Sequence, residues 1–191
     1  MAGIQDTDFT EVEITELGIR IGVAVKADVL SCVGKLEEEM NCKTMTKKCG
    51  ARILKTRTKG TGDGTVKVSA YVPQDMFADL YGMTRTNLKD GVTAYGMNSQ
   101  HAVACITAKV LDEDGNKKYK AYPNCTIQTA LSRSVDNDSE DISMLELEFA
   151  VMPDEYGEGL YEATENDLKD ATAKQKWMEE FKRSLVATDM A

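Results

Sequence analysis

Apolar and polar residues alternate along much of the chain, the period-2 signature of half-buried strands. Val12 and Ile14 alternate with Glu11, Glu13 and Thr15. Leu17, Ile19, Ile21, Val23 and Val25 then alternate with Glu16, Gly18, Arg20, Gly22 and Ala24. The apolar parity switches between Ile14 and Leu17, which predicts a bulge or bend there. Residues 29–33 fit no period. The clearest strand has Val66, Val68, Ala70 and Val72 on one face and Lys67, Ser69 and Tyr71 on the other. Pro73 stops it and opens a short helix. Met76, Phe77, Leu80 and Tyr81 form that helix's apolar face, and Gly82 suits its exit. This helix is expected to plug one end of a sheet.

The second half continues in the same period. Ala104, Ile106, Ala108 and Val110 alternate with Cys105, Thr107 and Lys109, and residues 112–116 (DEDGN) read as a hairpin turn. Tyr119 and Ala121 carry the return strand, which is expected to break at Pro123. Cys125, Ile127, Thr129 and Leu131 form a further alternating set. A polar loop over 134–141 precedes Leu145, Leu147, Phe149 and Val151, with Glu146 and Glu148 facing out. The last element reads as a helix over 164–187. Thr164 and Asp167 resemble a capping box at its start. Leu168, Ala171, Met178, Phe181 and Leu185 share a face, with Trp177 beside it. Asp170–Lys174 and Glu179–Arg183 are spaced as i,i+4 pairs.

The pattern predicts a mainly β (α+β) fold of antiparallel strands with a short flanking helix and a C-terminal helix. Residues 1–163 make the β domain and residues 164–191 a helical extension.

One stretch breaks the pattern. Residues 36–46 (LEEEMNCKTMT) and 52–59 (RILKTRTK) are charged and only weakly apolar. They read as a long hairpin over about 36–59, ended by a glycine-rich turn, GTGDGT, at 60–65. Glu37, Glu38 and Glu39 are expected to oppose Lys47, Lys48, Arg52, Lys55, Arg57 and Lys59. Strands this poor in apolar surface need cross-strand ion pairs or a neighbouring subunit. These nine residues are the candidate assembly residues.

The chain's 191 residues carry 32 carboxylates against 23 Lys and Arg, a formal charge of -9. That balance argues against nucleic-acid binding, which needs clustered cations. The start of the chain lacks a basic and an apolar region, so synthesis in a cytoplasm is expected. The five cysteines, Cys32, Cys42, Cys49, Cys105 and Cys125, show no C-x-x-C spacing and read as reduced, buried or half-buried thiols.

No catalytic constellation emerges, and no cofactor or metal is expected. His101 is the one histidine and has no partner in sequence for base or ligand work. Glu146 and Glu148 could mimic a carboxylate dyad, but the outer face of a strand explains them more simply. Asp136, Asp138, Glu140 and Asp141 lack the spacing of a calcium loop. The chain is therefore expected to be non-enzymatic. Two readings of another class are a ligand-binding β-sandwich, which the sparse aromatics disfavour, and a carboxylate hydrolase.

The block over 55–82 joins a basic strand, GTGDGT, the strand TVKVSAYV and the helix PQDMFADLYG. The block over 103–157 joins a strand, a DG hairpin, a strand with YPNC, an acidic loop and LELEFAV before PDEYG. In this order the two blocks resemble the major tail tube proteins of long-tailed bacteriophages. The resemblance implies a fold of two packed antiparallel sheets, sandwich- or barrel-like, with a flanking helix, in a subunit of the virion tail. In that family six copies form a ring around an inner β-barrel, and rings stack into a conduit; here DNA would pass through it without specific binding. The implied partners are further copies of the chain, the tape measure, the tail terminator and the baseplate or distal tail proteins. The long hairpin and an N-terminal arm, about 2–11 here, would join rings. Tubes of contractile tails, tailocins and type VI secretion systems share this fold.

Overall fold

The computed structural model describes residues 9–134 and 142–188. The elements are β1 (Glu13–Ile21), β2 (Asp28–Leu30), β3 (Val33–Cys49), β4 (Arg52–Ala70), α1 (Gln74–Leu80), β5 (Val103–Leu111), β6 (Lys117–Ile127), β7 (Leu145–Val151), β8 (Tyr161–Thr164) and α2 (Ala171–Glu180). A 3-10 turn follows at Arg183–Leu185.

Every strand pairing is antiparallel, in the order β2-β1-β5-β6-β7-β4-β3, with β8 added to β6. The mainly β, sandwich-like expectation is met by one continuous sheet. It curls until β1 and β3 border a common cleft, with Ile14 on one side and Val33 and Leu36 on the other. The curl encloses the main core. Leu17, Ile19, Val66, Val68, Ile106, Tyr122, Leu147 and Phe149 are all buried there. Met76, Phe77, Leu80 and Tyr81 close it from α1, as the sequence predicts.

The parity switch in β1 is real: its register against β5 shifts between Ile14 and Glu16. The strand is shorter than expected. It ends at Ile21, Gly22 turns at φ 56°, and Val23 and Val25 are exposed. Pro123 does not end β6. A register shift opposite Ala104 and Ile106 absorbs it, since a bulge tolerates a residue without an N–H.

The C-terminal helix differs most from the expectation. Residues 161–164 are a strand, because their backbone pairs with 118–121 of β6. Thr164 and Asp167 make a side-chain turn instead of a helix start. The helix begins after Asp170, whose carboxylate accepts the N–H groups of Thr172 (2.7 Å) and Ala173 (3.0 Å). Asp170 is thus a cap rather than a partner of Lys174. The i,i+4 ion pair that forms is Lys176–Glu180 at 3.1 Å, and Glu179 instead meets Lys26 at 2.7 Å.

Helix α2 lies on the outer face of the sheet. Trp177, Met178 and Phe181 bury there against Cys105, Tyr119 and Ala121. Trp177 packs against Phe181 with the rings tilted at 54° and their centroids 4.9 Å apart, and donates its indole N–H to the Lys120 carbonyl at 3.1 Å. Gly18 permits this approach. A Cβ there would collide with Thr107 Oγ1 and lie 2.5 Å from the Met178 carbonyl. Gly18→Ala is expected to push α2 off the sheet, costing about 1–3 kcal/mol as overpacking does. Chemical denaturation would read this; an unchanged midpoint would contradict the tight packing.

Candidate assembly site

The curled sheet holds β3 and β4 only at their roots. β7 pairs with β4 from Gly64 to Ala70 and no further. Beyond that last rung, β3 and β4 run on as a two-stranded ribbon to the turn at Gly50 and Ala51. The twelve steps from Gly64 back to Arg52 carry it roughly 40 Å outward at strand rise. Residues 41–61 are exposed throughout, including Met45, Ile53 and Leu54.

β3 and β4 form a hairpin longer than the expected 36–59, and its root is not the expected turn. GTGDGT does not close it. β4 is one strand through these residues, and three of them, Thr61, Gly62 and Asp63, sit opposite the single residue Asn41. They form a wide bulge, held by Asn41 Nδ2 donating to Asp63 (2.7 Å) and Thr61 Oγ1 donating to the Asn41 carbonyl (3.1 Å). Gly62 takes φ 82°, and Gly159 packs so closely on its carbonyl that neither position tolerates a side chain.

The expected opposition of acids and bases is also corrected. Glu37, Glu38 and Glu39 lie at the ribbon's root, across from Lys67, Val66 and Thr65. Lys47, Lys48, Arg52, Lys55, Arg57 and Lys59 lie beyond the bulge. There Lys43 faces Lys59 and Lys47 faces Lys55, so two rungs set like charges directly opposite each other. Such rungs destabilise a ladder. Lys43 belongs to the basic set and was missed, because it stands in the strand that opens with the glutamates. Residues 43–59 hold seven cations and no carboxylate. Among the described residues none of the seven is in an ion pair.

Glu38 has a different task. Its carboxylate meets the Lys120 ammonium at 2.6 Å and accepts a hydrogen bond from the Tyr122 hydroxyl. Lys120 is 1% exposed and also meets Glu11 at 2.7 Å and Glu162 at 3.5 Å. One buried cation therefore joins the start of β1, the root of the ribbon, β6 and β8. Burial works against the charge on Lys120, but the hydrogen bonds it donates to Glu11 and Glu38 outweigh it and raise its pKa. Burial likewise opposes the Glu11 charge; Lys120 and Lys118 overcome it and hold Glu11 below the usual carboxylate value. Burial first, and Glu38 second, push the Tyr122 hydroxyl far up, so it stays protonated and donates. Of the arm over 2–11, residues 2–8 lie outside the described residues. Its end is fixed by Glu11.

The remaining candidates have structural surroundings. His101 Nδ1 lies 2.8 Å from the Ile127 carbonyl, so that nitrogen carries the proton. Its Nε2 is 3.2 Å from the Tyr95 hydroxyl, and the ring packs edge-on against Tyr81 at 4.9 Å. Glu146 and Glu148 face out from β7, and Glu148 accepts from Gln128 at 2.6 Å. Asp136, Asp138, Glu140 and Asp141 lie outside the described residues. Cys105 and Cys125 are buried, and burial raises both thiols. Cys32, Cys42 and Cys49 are exposed, contrary to the expectation, because the ribbon and its approach have no core to enter. Among the described residues no helix is long and apolar enough to cross a membrane.

Neither a protein-family model nor a curated protein matches the sequence. Among solved structures, the chain is similar to the anti-feeding prophage cap, the AFP tube terminating cap, determined by cryo-electron microscopy. The two are 13% identical with a TM-score of 0.47, over 86% of this chain and 99% of that one.

Proposed function

We propose that this chain is a non-enzymatic structural subunit that polymerises through its ribbon, as the major tail tube protein of a long-tailed bacteriophage. One observation carries the proposal. A two-stranded ribbon with no buried face is marginal by itself, yet this one projects roughly 40 Å beyond the sheet at strand rise. Its outer backbone edges and its cations are left for another chain to satisfy. The order of motifs over 55–82 and 103–157 supports the tail tube reading in particular. Six copies would form each ring, and stacked rings the conduit for DNA in the virion tail. Tape measure, terminator and baseplate or distal tail proteins would bound the tube. The acidic balance outside the ribbon suits that passage, because cationic walls would hold phosphates and stall the genome.

Sedimentation velocity over a rising concentration series tests the assembly step. The expected result is a monomer at low concentration giving way to large, ring-sized and longer species. A single monomer boundary at every concentration would refute the proposal.

A further inference from the structure

We infer that the basic tip of the ribbon, residues 43–59, docks on the acidic segment 154–167 of a second copy of this chain. The inference rests on the assembly reading above and names the surface that receives the ribbon. Segment 154–167 holds six carboxylates, Asp154, Glu155, Glu158, Glu162, Glu165 and Asp167, and no Lys or Arg. It is the electrostatic counterpart of a tip with seven cations and no acid.

The segment is a formed surface. Asp154 accepts the N–H groups of Tyr156 (2.9 Å) and Glu158 (3.1 Å), and the Tyr161 hydroxyl donates to it at 2.5 Å. These bonds hold Asp154 below the usual carboxylate range against its partial burial. They turn Glu155 and Glu158 outward, and both are exposed. Neither is in an ion pair among the described residues. Glu162 and Glu165 are already engaged, by Lys118, Lys120 and Lys117. Asp167 accepts from the Thr164 hydroxyl at 2.6 Å, which leaves Glu155 and Glu158 as the carboxylates of this segment without a side-chain partner among the described residues.

A chain's own segment 154–167 does not reach its tip. Gly159 abuts the carbonyl of Gly62, so the acidic segment sits at the ribbon's root. The tip at Arg52 stands ten residues further out, roughly 30 Å at strand rise. Donor and acceptor are different patches on one molecule, so the contact is head-to-tail and each bound copy offers a fresh acceptor. Such contacts close into rings or grow without limit. Opposite charges across the contact would also relieve the like-charge rungs Lys43–Lys59 and Lys47–Lys55.

The test is a charge swap in the full chain. The donor variant carries Lys55→Glu and Arg57→Glu, and the acceptor variant carries Glu155→Lys and Glu158→Lys. All four positions are exposed, so circular dichroism and the melting midpoint are expected to match the wild type. Each variant alone is expected to raise the critical concentration for assembly about tenfold or more, as repulsive juxtapositions do. The chain with all four substitutions is expected to recover most of the loss. An acceptor variant that assembles like the wild type, or a four-fold variant no better than either pair, would overturn the inference and leave the assembly reading intact. A wild type that never associates would sink the assembly reading itself. Titration with labelled duplex DNA gives the third arm. Tight DNA binding lost in the donor variant but kept in the acceptor variant, with assembly unaffected by either, would assign the tip to nucleic acid and overturn the inference.

Discussion

Removal of the ribbon tip is expected to leave a folded monomer that no longer assembles. The register says where to cut. Cys42 pairs with Gly60 and Lys43 with Lys59, so residues 43–59 can be replaced by a two-residue Asn-Gly turn without disturbing a rung below them. The excised residues are exposed on both strands and contribute no side chain to either core cluster. Stability should change by no more than about 1 kcal/mol, since exposed residues away from caps and networks contribute little. Assembly should be abolished at every concentration. Calorimetry and sedimentation on the same sample would check both halves. A tip-less chain that still polymerises would remove the ribbon from the mechanism. A tip-less chain that unfolds would make it an ordinary core hairpin.

Lys120→Met should have the largest effect on stability. The substitution removes the cation that meets Glu11 and Glu38 at 2.7 and 2.6 Å, and leaves those carboxylates clustered with Glu162. Breaking a buried pair by deleting one partner costs about 3–5 kcal/mol; the lower end applies here, because the carboxylates are each about one-third exposed and water screens them. The sign of the pH dependence follows from Glu11. Its folded pKa lies below the ordinary 4.5, so its contribution is complete above that value and is lost as pH falls through the folded value. In the methionine variant the same carboxylates repel, and protonation relieves them. The stability gap between the two chains should therefore narrow as pH drops below about 4.5. A gap that is constant from pH 7 to pH 3 would contradict the role given to the cluster. So would a variant as stable as the wild type at neutral pH. The same substitution removes the ion-pair link from Glu38 at the ribbon root to Glu11 and leaves Glu38 with the Tyr122 hydroxyl, so weaker assembly is expected with it.

The legible parts of the fold were those with one buried face. The parity switch at Ile14 and Leu17, the strand of Val66, Val68 and Ala70, the helix after Pro73 and the inward set of β7 each show one apolar side in sequence and in space. Legibility failed where a second contact decided the outcome. A run such as GTGDGT satisfies a turn and a bulge equally, and only the partner Asn41 makes it a bulge. Thr164 and Asp170 are both sound helix caps by residue type. Pairing with β6 claims Thr164 for a strand, and the helix waits for Asp170. On β6 the alternation misleads, because α2 covers its outer face. Tyr119 and Ala121 bury under the helix, while Lys120 and Tyr122 bury on the other side.

The candidate site was half legible for the same reason. Composition marks the ribbon, since a charged, core-poor hairpin stands out from its surroundings. Composition cannot give register. It paired the Glu37–Glu39 run with the basic set, whereas the register puts those glutamates at the root and lysine against lysine at the tip. Glu38 finds its cation 82 residues away, a partner no local pattern signals.

A tube built by this chain alone would be visible without any partner protein. Negative-stain electron microscopy of the concentrated wild-type protein tests for it most directly. Rings and stacked tubes with a central hole are expected. A field of separate monomers, unchanged when a tail initiator is added, would contradict the proposal.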